Sequence, residues 1–402
     1  MREWGCLIFY IPYGKNDFVI CKIYLYIDPA NCIMVMNSCR NIKVIVAGLA
    51  GTLGLLFACV PGSRPELSDK ELVGKQLFFD ESLSEPAGQS CGTCHEPTKG
   101  FADKYGRITS EGAVKGLFSN RNSMSCSYVA YVPALYYDEK EETYVGGLFW
   151  DGRVNSLEEQ AGQPFINPLE MGNKDGRMVT EKVRRATYYP DFVRVYGEIA
   201  SDDSLYAKIL DALATYERSA EVNPFTSKYD AYLEGKCRLS EQEMEGLDLF
   251  KEKGLCAECH ILENDERAGR VLFTDHTYDN LGIPSNPDNP FFRVPAPYNT
   301  AGRDTMDLGL GAFLHDSTEF GKFRVPTLRN ITLTAPYGHN GYFKTLEEIV
   351  HFYNVRDVEE YPAPEYAETV NRDELGNLGL TPEEEAAIVL FMHTLTDGYQ
   401  ID

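Results

Sequence analysis

Apolar residues recur at helical spacing in two segments of the chain that resemble each other, residues 67–78 and residues 239–250. Both segments begin with Leu-Ser, carry a glutamate three positions after the serine, share a glycine and end in Leu-Phe. A serine at the N-cap with a glutamate at the third helical position is a capping box, which marks the start of an α-helix. The pattern therefore predicts one amphipathic helix that occurs twice.

A cysteine motif follows each of these helices, Cys-Gly-Thr-Cys-His at residues 91–95 and Cys-Ala-Glu-Cys-His at residues 256–260. Two thiols at this spacing can reach both vinyl groups of one haem, and the adjacent imidazole can then ligate the iron. A redox dithiol or half of a zinc site is the alternative for a bare Cys-x-x-Cys pair. The repeated motif predicts two covalent c-type haems. The predicted attachment points and proximal iron ligands are Cys91, Cys94, Cys256, Cys259, His95 and His260.

A helix that is repeated together with its cysteine motif predicts two related domains, residues 66–220 and residues 221–402, with a connector within residues 216–236. The 34 glycines and 21 prolines of the chain favour long loops between the helices. A further capped helix is predicted over residues 381–395, and whether it packs back on the first domain is left open. The predicted fold class is mainly α, with two cytochrome c-like helical domains and long loops, each domain carrying one covalent c-type haem.

Two basic residues, Arg40 and Lys43, precede an apolar stretch of 14 residues, 44–57, which ends shortly before Cys59. Basic residues, a short apolar segment and small residues are typical of a secretory signal, and the stretch is too short to cross a bilayer as a helix. We interpret residues 36–58 as a lipoprotein-type signal peptide after which Cys59 is lipidated. An ordinary export signal cleaved nearby is the alternative.

Residues 1–35 lie upstream of this signal, where an exported protein has no use for them. We interpret them as a misassigned N-terminal extension, with translation starting at Met34 or Met36. Sequencing the N-terminus of the protein tests whether translation starts at Met34 or Met36 and not at Met1.

The composition of the chain is that of a globular protein, with 43% hydrophobic and 25% charged residues. It disfavours both a disordered chain and a polytopic membrane protein. The net charge of −23 disfavours a nucleic acid as partner, because an acidic surface repels phosphate. It would instead steer a basic protein partner toward the chain, or it serves solubility alone.

Histidines are unevenly placed in the chain, and none lies between His95 and His260. The first haem therefore cannot draw a second histidine ligand from its own domain. Met124, Met171 and Met178 could ligate in principle, but an open or water-bound iron is the simpler interpretation. An open haem iron can bind peroxide or dioxygen, whereas an electron-transfer cytochrome normally fills both axial positions.

Several longer motifs complete the pattern: Phe-Trp-Asp-Gly-Arg at residues 149–153, Asn-Pro-Leu-Glu-Met at 167–171, Val-Pro-Thr-Leu-Arg-Asn at 325–330 and Thr-Ala-Pro-Tyr-Gly-His-Asn-Gly at 334–341. With these motifs the sequence resembles the bacterial diheme cytochrome c peroxidase family, which includes MauG-type enzymes. The resemblance extends from about residue 66 to residue 395. It implies a peroxidatic haem domain followed by an electron-transfer haem domain.

The resemblance assigns roles to individual residues. It implies that Glu170 is the acid/base beside the peroxide-binding haem, a task that suits a carboxyl group; a helix-capping glutamate on the surface is the alternative. Trp150 corresponds to the tryptophan that relays electrons between the haems, or else it is plain core packing. Pro164 corresponds to a proline that shapes the pocket at the open haem face.

A calcium ion between the domains is also implied. Asn122, Thr334 and Pro336 correspond to its binding positions, and side-chain and carbonyl oxygens are the ligands that Ca²⁺ prefers.

The sequence departs from the peroxidases of the family at two ligand positions. The region around Glu111 lacks the distal histidine of those enzymes, which predicts a first haem that is open without reductive activation. The second haem has Tyr353 where they use methionine, and MauG-type enzymes use tyrosine there. The alternatives are a packed aromatic role for Tyr353 and ligation of the iron by Met306, His351 or Met392. His339 is interpreted as a structural residue.

Three functions are compatible with these features. The first is a periplasmic peroxidase that reduces hydrogen peroxide with electrons from a small cytochrome c or cupredoxin. The second is a MauG-like oxidase that modifies a side chain of a protein substrate, and the third is a diheme electron carrier with two six-coordinate irons. Export predicts the cell envelope of a Gram-negative bacterium, with Cys59 as the lipid anchor.

Cys126 and Cys237 lie outside the haem motifs, and whether they form a disulfide is left open.

Overall fold

The computed structural model describes residues 66–401, and before them only the backbone of an antiparallel sheet. The strands of this sheet follow one another in the order β1 (Gly5–Pro12), β2 (Phe18–Asp28) and β3 (Asn31–Val35). The chain divides into one unit of residues 1–62 and a second unit of residues 63–402. The predictions for the start codon, the signal peptide and Cys59 lie outside the described residues. None of the described helices is long and apolar enough to span a membrane.

Helices dominate the second unit. Those before residue 220 are α1 (Asp69–Phe78), α2 (Cys91–Cys94), α3 (Leu157–Ile166), α4 (Gly176–Arg185), α5 (Tyr189–Tyr196) and α6 (Asp202–Glu217). Those after it are α7 (Lys228–Leu233), α8 (Glu241–Lys251), α9 (Gly309–Leu314), α10 (Leu346–Val355) and α11 (Pro382–His393). Two short antiparallel pairs join β4 (Tyr136–Asp138) to β5 (Thr143–Val145) and β6 (Tyr278–Asp279) to β7 (Phe323–Arg324). The predicted fold class, mainly α with two cytochrome c-like helical parts and long loops, is confirmed.

The three helices predicted from capping motifs begin where the sequence places them. Ser68, Ser240 and Thr381 each cap a helix, and the backbone amide of each donates the reciprocal hydrogen bond of a capping box to the glutamate carboxylate three residues on. A capping box satisfies two backbone donors that would otherwise lack partners at the start of a helix. These local signals are therefore sufficient to fix the starts of α1, α8 and α11.

The duplicated helix crosses a partner helix through a glycine in both halves of the unit. A Cβ atom on Gly74 of α1 would lie 2.0 Å from the carbonyl oxygen of Ala212 in α6. A Cβ atom on Gly246 of α8 would lie 2.0 Å from the carbonyl oxygen of Ala387 in α11. Only glycine permits backbones to approach this closely, which explains why the glycine is shared by the two segments.

Aromatic residues complete each crossing in the same way. Phe78 meets Tyr216 edge to face with ring centroids 5.3 Å apart, and Phe250 meets Phe391 at 5.2 Å. One hydrophobic core forms around the first crossing and a second core around the other. The predicted domain boundary at residue 220 stays a prediction.

The last helix belongs to the second core. The helix α11 packs on α8 through Gly246, and whether it also packs back on the first domain stays open. The segment after the helix reaches the first half of the unit. There the Asp397 carboxylate accepts hydrogen bonds from Tyr128 Oη at 2.7 Å and Asn330 Nδ2 at 2.8 Å.

Candidate functional site

The first cysteine motif forms a short helical turn, α2, that packs against the end of α1. A Cβ atom on Gly92 would lie 2.4 Å from the Phe79 ring, so the residue between the cysteines must be small. His95 Nδ1 donates to the carbonyl oxygen of Phe101 at 3.1 Å, and Phe101 has a left-handed φ of 57° that aims this carbonyl. Burial lowers the pKa of His95. The imidazole is therefore neutral and its Nε2 is the atom left for a metal.

The second motif repeats this arrangement. His260 Nδ1 donates to the carbonyl oxygen of Phe273 at 2.8 Å, and Phe273 has a φ of 55°. Burial lowers the pKa of His260 to about 4. Neither orienting carbonyl follows from a sequence motif, because one lies six residues after its histidine and the other lies thirteen residues after.

A cavity of about 220 Å³ adjoins the second motif. Its wall includes Cys256, Cys259 and His260 as well as Trp150 and Arg324. The wall is largely apolar, yet Arg324 is a buried cation that pairs with none of the described carboxylates. A thiol pair, a neutral histidine and an unpaired buried cation together fit a haem, which is a flat apolar ring that carries carboxylates.

Tyr353 of α10 lines this cavity together with His260, as the sequence analysis requires of a second iron ligand. Burial raises the pKa of its phenol. Among the alternative ligands, Met392 also lines the cavity, but Met306 is 52% exposed and His351 is bonded to the Glu385 carboxylate at 3.0 Å. Ligation by Tyr353 stays a prediction.

Trp150 lies on the wall of the same cavity. Its Nε1 donates to the carbonyl oxygen of Asn122 at 2.9 Å, and its ring meets Phe323 edge to face at 6.5 Å. Phe323 in turn stacks on the ring of His339 with centroids 3.7 Å apart, and His339 Nε2 lies 3.0 Å from a Glu365 carboxylate oxygen. The indole orientation is thus fixed by contacts on several sides, and the His339 ring is held between Phe323 and Glu365.

Glu170 lies near the first motif: burial raises the pKa values of Cys91 and Cys94, and the Glu170 charge makes a smaller contribution. Its Oε1 accepts hydrogen bonds from Asn167 Nδ2 at 3.0 Å and Ser119 Oγ at 3.4 Å. Burial raises the pKa of Glu170 above its usual value. No hydrogen bond to Oε2 is present among the described residues.

Pro164 lies inside α3, close to the loop that carries Glu170. The carbonyl oxygen of Pro164 accepts the Met171 amide at 3.1 Å, and the Asn167 carbonyl accepts the Glu170 amide at 3.0 Å. These two bonds fold the end of α3 back over the loop. The role of Pro164 in shaping the pocket at the open face of the first haem stays a prediction.

The three residues predicted to bind calcium line one cavity. Asn122 Nδ2 donates to the carbonyl oxygens of Arg107 and Ile108 at 3.3 and 3.1 Å, and Thr334 Oγ1 donates to the Ile331 carbonyl at 3.1 Å. Pro336 lines the same cavity. The oxygen atoms that these residues could offer to a calcium ion are uncharged. The calcium site stays a prediction.

Cys126 and Cys237 do not form a disulfide in the structure. Both thiols are free. Cys126 packs against the first core, whereas Cys237 Sγ donates to the Lys228 carbonyl oxygen at 3.5 Å. Because the two cysteines belong to different halves of the unit, the pairing left open by the sequence is not made.

Comparison with known proteins gives one consistent result. Residues 68–238 match the family of di-haem cytochrome c peroxidases. The chain is 35% identical over 357 residues to the methylamine utilization protein MauG of Paracoccus denitrificans, covering 83% of this chain and 90% of that protein. It is 32% identical to the cytochrome c551 peroxidase of Nitrosomonas europaea, covering 87% of this chain and 90% of that protein.

Solved structures agree with these matches. The crystal structure of a diheme peroxidase from Burkholderia thailandensis is similar to the fold with a TM-score of 0.71 and 32% identity, covering 83% of this chain and 87% of that one. The chain therefore belongs to the di-haem cytochrome c peroxidase and MauG family.

Proposed function

We propose that the protein is a diheme c-type peroxidase, which reduces hydrogen peroxide to two waters with two protons and two electrons from a small redox protein. Membership of the family implies two c-type haems, held through Cys91 and Cys94 and through Cys256 and Cys259. When bound, the haem iron at His95 supplies the electrons and the Lewis acidity for cleavage of the O–O bond. The observation that carries the proposal is the placement of Glu170 near the first motif.

Glu170 handles the protons of the reaction. Its Oε1 is held by Asn167 and Ser119, and its Oε2 takes a proton from the incoming peroxide and returns it to the departing oxygen. Burial raises the pKa of this carboxyl toward the working pH, which suits a group that must both accept and donate.

Trp150 carries electrons between the two haem sites. Its indole lies on the wall of the cavity that adjoins the second motif, and the bond to the Asn122 carbonyl holds it in one orientation. A fixed aromatic ring needs little rearrangement when it gains or loses an electron. The electron donor is a small cytochrome c or cupredoxin, and the net charge of −23 favours one with a basic docking face.

The second candidate function is a MauG-like oxidation of a side chain on a protein substrate. It is favoured by the position of Tyr353 on the cavity wall with His260, since a phenolate favours the higher oxidation states of iron. The relative from Paracoccus denitrificans, a methylamine utilization protein, points in the same direction. Steady-state turnover of peroxide with a reduced cytochrome c supports the first function, and failure of several such donors favours the second.

The test of the catalytic assignment is the Glu170→Gln variant. Loss of a general acid/base lowers the rate of peroxide cleavage by roughly 10²–10⁴-fold. The matched control is Glu181→Gln, which removes an exposed carboxyl from α4 and should leave the rate unchanged. A Glu170→Gln protein that retains both haems and the full rate would reject the role of Glu170.

We also propose a periplasmic location with a lipid anchor at Cys59, and one calcium ion held by Asn122, Thr334 and Pro336. Fractionation of the cell envelope and mass spectrometry of the N-terminal peptide test the location and the lipid anchor.

Dialysis against a calcium chelator tests the calcium site: it should lower activity, and added calcium should restore it. Activity that survives chelation with less than one bound calcium per chain would contradict the calcium site.

A further inference from the structure

Arg324 in β7 differs from the other buried arginines of the described chain. Its exposure is 3%, and its guanidinium reaches only the Phe149 carbonyl oxygen at 3.4 Å and the Met124 sulfur at 3.9 Å. Arg329 and Arg356 are also buried, but each is bonded to an aspartate at 2.7–2.9 Å. A buried charge without a counter-ion is costly, so Arg324 requires an anion that the described residues do not provide.

His276 presents a second unsatisfied group. It is 4% exposed, and neither ring nitrogen has a hydrogen-bond partner among the described residues. The nearest carboxylate oxygen, on Asp265, lies 3.9 Å from Nε2, too far for a hydrogen bond. The backbone of His276 has a left-handed φ of 63°, an uncommon conformation for a residue with a side chain. The surrounding structure therefore holds a polar ring in place without satisfying it.

The two side chains lie close together and face one cavity. Strands β6 and β7 pair Tyr278 with Arg324, and just before β6 the Thr274 hydroxyl donates to the Val325 carbonyl at 2.7 Å. Arg324 and His276 both line the cavity that contains His260. Burial, with a smaller contribution from the Arg324 charge, lowers the pKa of His276 to about 3. His276 is therefore a neutral donor beside a permanent cation.

We propose that Arg324 and His276 together bind the carboxylate groups of the haem attached at Cys256 and Cys259, and that the Arg324 charge raises the reduction potential of this haem. A guanidinium and a neutral imidazole N–H are suitable donors for a carboxylate. A positive charge held near the iron favours the reduced state, which carries one positive charge less. The inference rests on the presence of the second haem and not on peroxidase activity.

Arg324 also connects this carboxylate site to the proposed electron relay. Its backbone amide donates to the Trp150 carbonyl at 2.9 Å, and its Nε faces the carbonyl oxygen of Phe149, the preceding residue. One residue thus bonds both to the segment that carries the indole and to the haem carboxylate. Arg324 is in this sense a positioning residue for electron transfer between the haem sites.

The experiment is an equilibrium redox titration of the diheme protein that follows the haem at the second motif. Arg324→Met should reduce the equilibrium constant for reduction of this haem roughly tenfold, which corresponds to about 59 mV for one electron. Arg324→Lys keeps the charge and should change the constant less than about threefold. The control is Arg372→Met, which removes a cation that is 60% exposed and pairs with Asp357.

Two outcomes would overturn the inference. One is an unchanged potential in an Arg324→Met protein that retains both haems, and the other is an equal shift in the Lys and Met variants, which would indicate a packing effect. If Arg324→Met does not fold, variants of His276 provide the test. His276→Phe should lower the equilibrium constant for reduction of this haem about threefold. His276→Gln, which can still donate a hydrogen bond to the carboxylate, should not lower it. Equal behaviour of these two variants would contradict the site. A protein with the predicted shifts but no peroxide turnover would refute the proposed function alone.

Discussion

The crossing of α8 over α11 gives a sharp prediction for Gly246→Ala. A Cβ atom at this position would lie 2.0 Å from the Ala387 carbonyl oxygen and 2.9 Å from the Phe391 Cβ atom. Both partners are backbone or close to it, so neither can rotate away and the helices must separate. Overpacking of this kind costs about 1–3 kcal/mol, occasionally more. The better helix propensity of alanine returns about 0.8–1.0 kcal/mol. We expect a net loss of about 1 kcal/mol, and at most about 2 kcal/mol, from the free energy of unfolding.

The same substitution elsewhere in the chain is the control. Gly162 lies inside α3, and a Cβ atom there would meet the Leu210 side chain at 3.4 Å and the Tyr206 hydroxyl at 3.6 Å, which are ordinary contacts. Gly162→Ala should therefore gain up to about 1 kcal/mol. The assay is guanidinium denaturation of the diheme proteins followed by far-UV circular dichroism, with midpoints compared between variants. A Gly246→Ala protein that is as stable as Gly162→Ala would refute the close helix crossing.

The remaining predictions concern the candidate site and the interior. Peroxide turnover should fall as the pH drops through the raised pKa of Glu170, because the carboxyl must be ionised to accept a proton; Glu170→Gln should abolish this acid limb in a pH–rate profile. Burial opposes ionisation of Asp307, but Arg121 at 2.6 Å overcomes it and lowers the Asp307 pKa to about 2. Because the folded pKa is depressed, the pair stabilises the protein above pH ~4 and loses its effect as the pH falls toward 2. Asp307→Asn should consequently destabilise the protein at pH 7, measured by denaturation, and the difference should shrink at low pH; a constant difference would contradict the pairing. Tyr353→Phe should alter the absorption spectrum of the haem at the second motif and leave the other haem unchanged, whereas two unchanged spectra would exclude Tyr353 as a ligand.

Local signals account for the parts of this protein that the sequence predicts well. The capping boxes at Ser68 and Ser240 and the two cysteine motifs each lie within a few residues, so their geometry follows from short-range chemistry. The repeated glycine was visible as a shared position, but its cause was not. Only the structure shows that Gly74 and Gly246 lie against carbonyl groups more than one hundred residues away.

Long-range contacts account for what was missed. Phe101 and Phe273 act through backbone carbonyls, which any residue possesses, so residue type gave no indication of their role. Arg324 lies directly before a recognised motif, yet nothing in the sequence tells whether a particular arginine finds an acidic partner. Only the structure shows that Arg324 is buried without a carboxylate partner among the described residues.

The hydrogen bonds of Asp397 have a practical consequence for handling the protein. This carboxylate accepts hydrogen bonds from the Tyr128 hydroxyl in the first half and from the Thr226 amide and the Asn330 side chain in the second. Removing the segment that contains Asp397 would remove hydrogen bonds that connect the two halves, although the described helices, which end at His393, would be kept. Shortened versions made for crystallisation should therefore stop after this residue, and a purification tag added behind it needs a spacer.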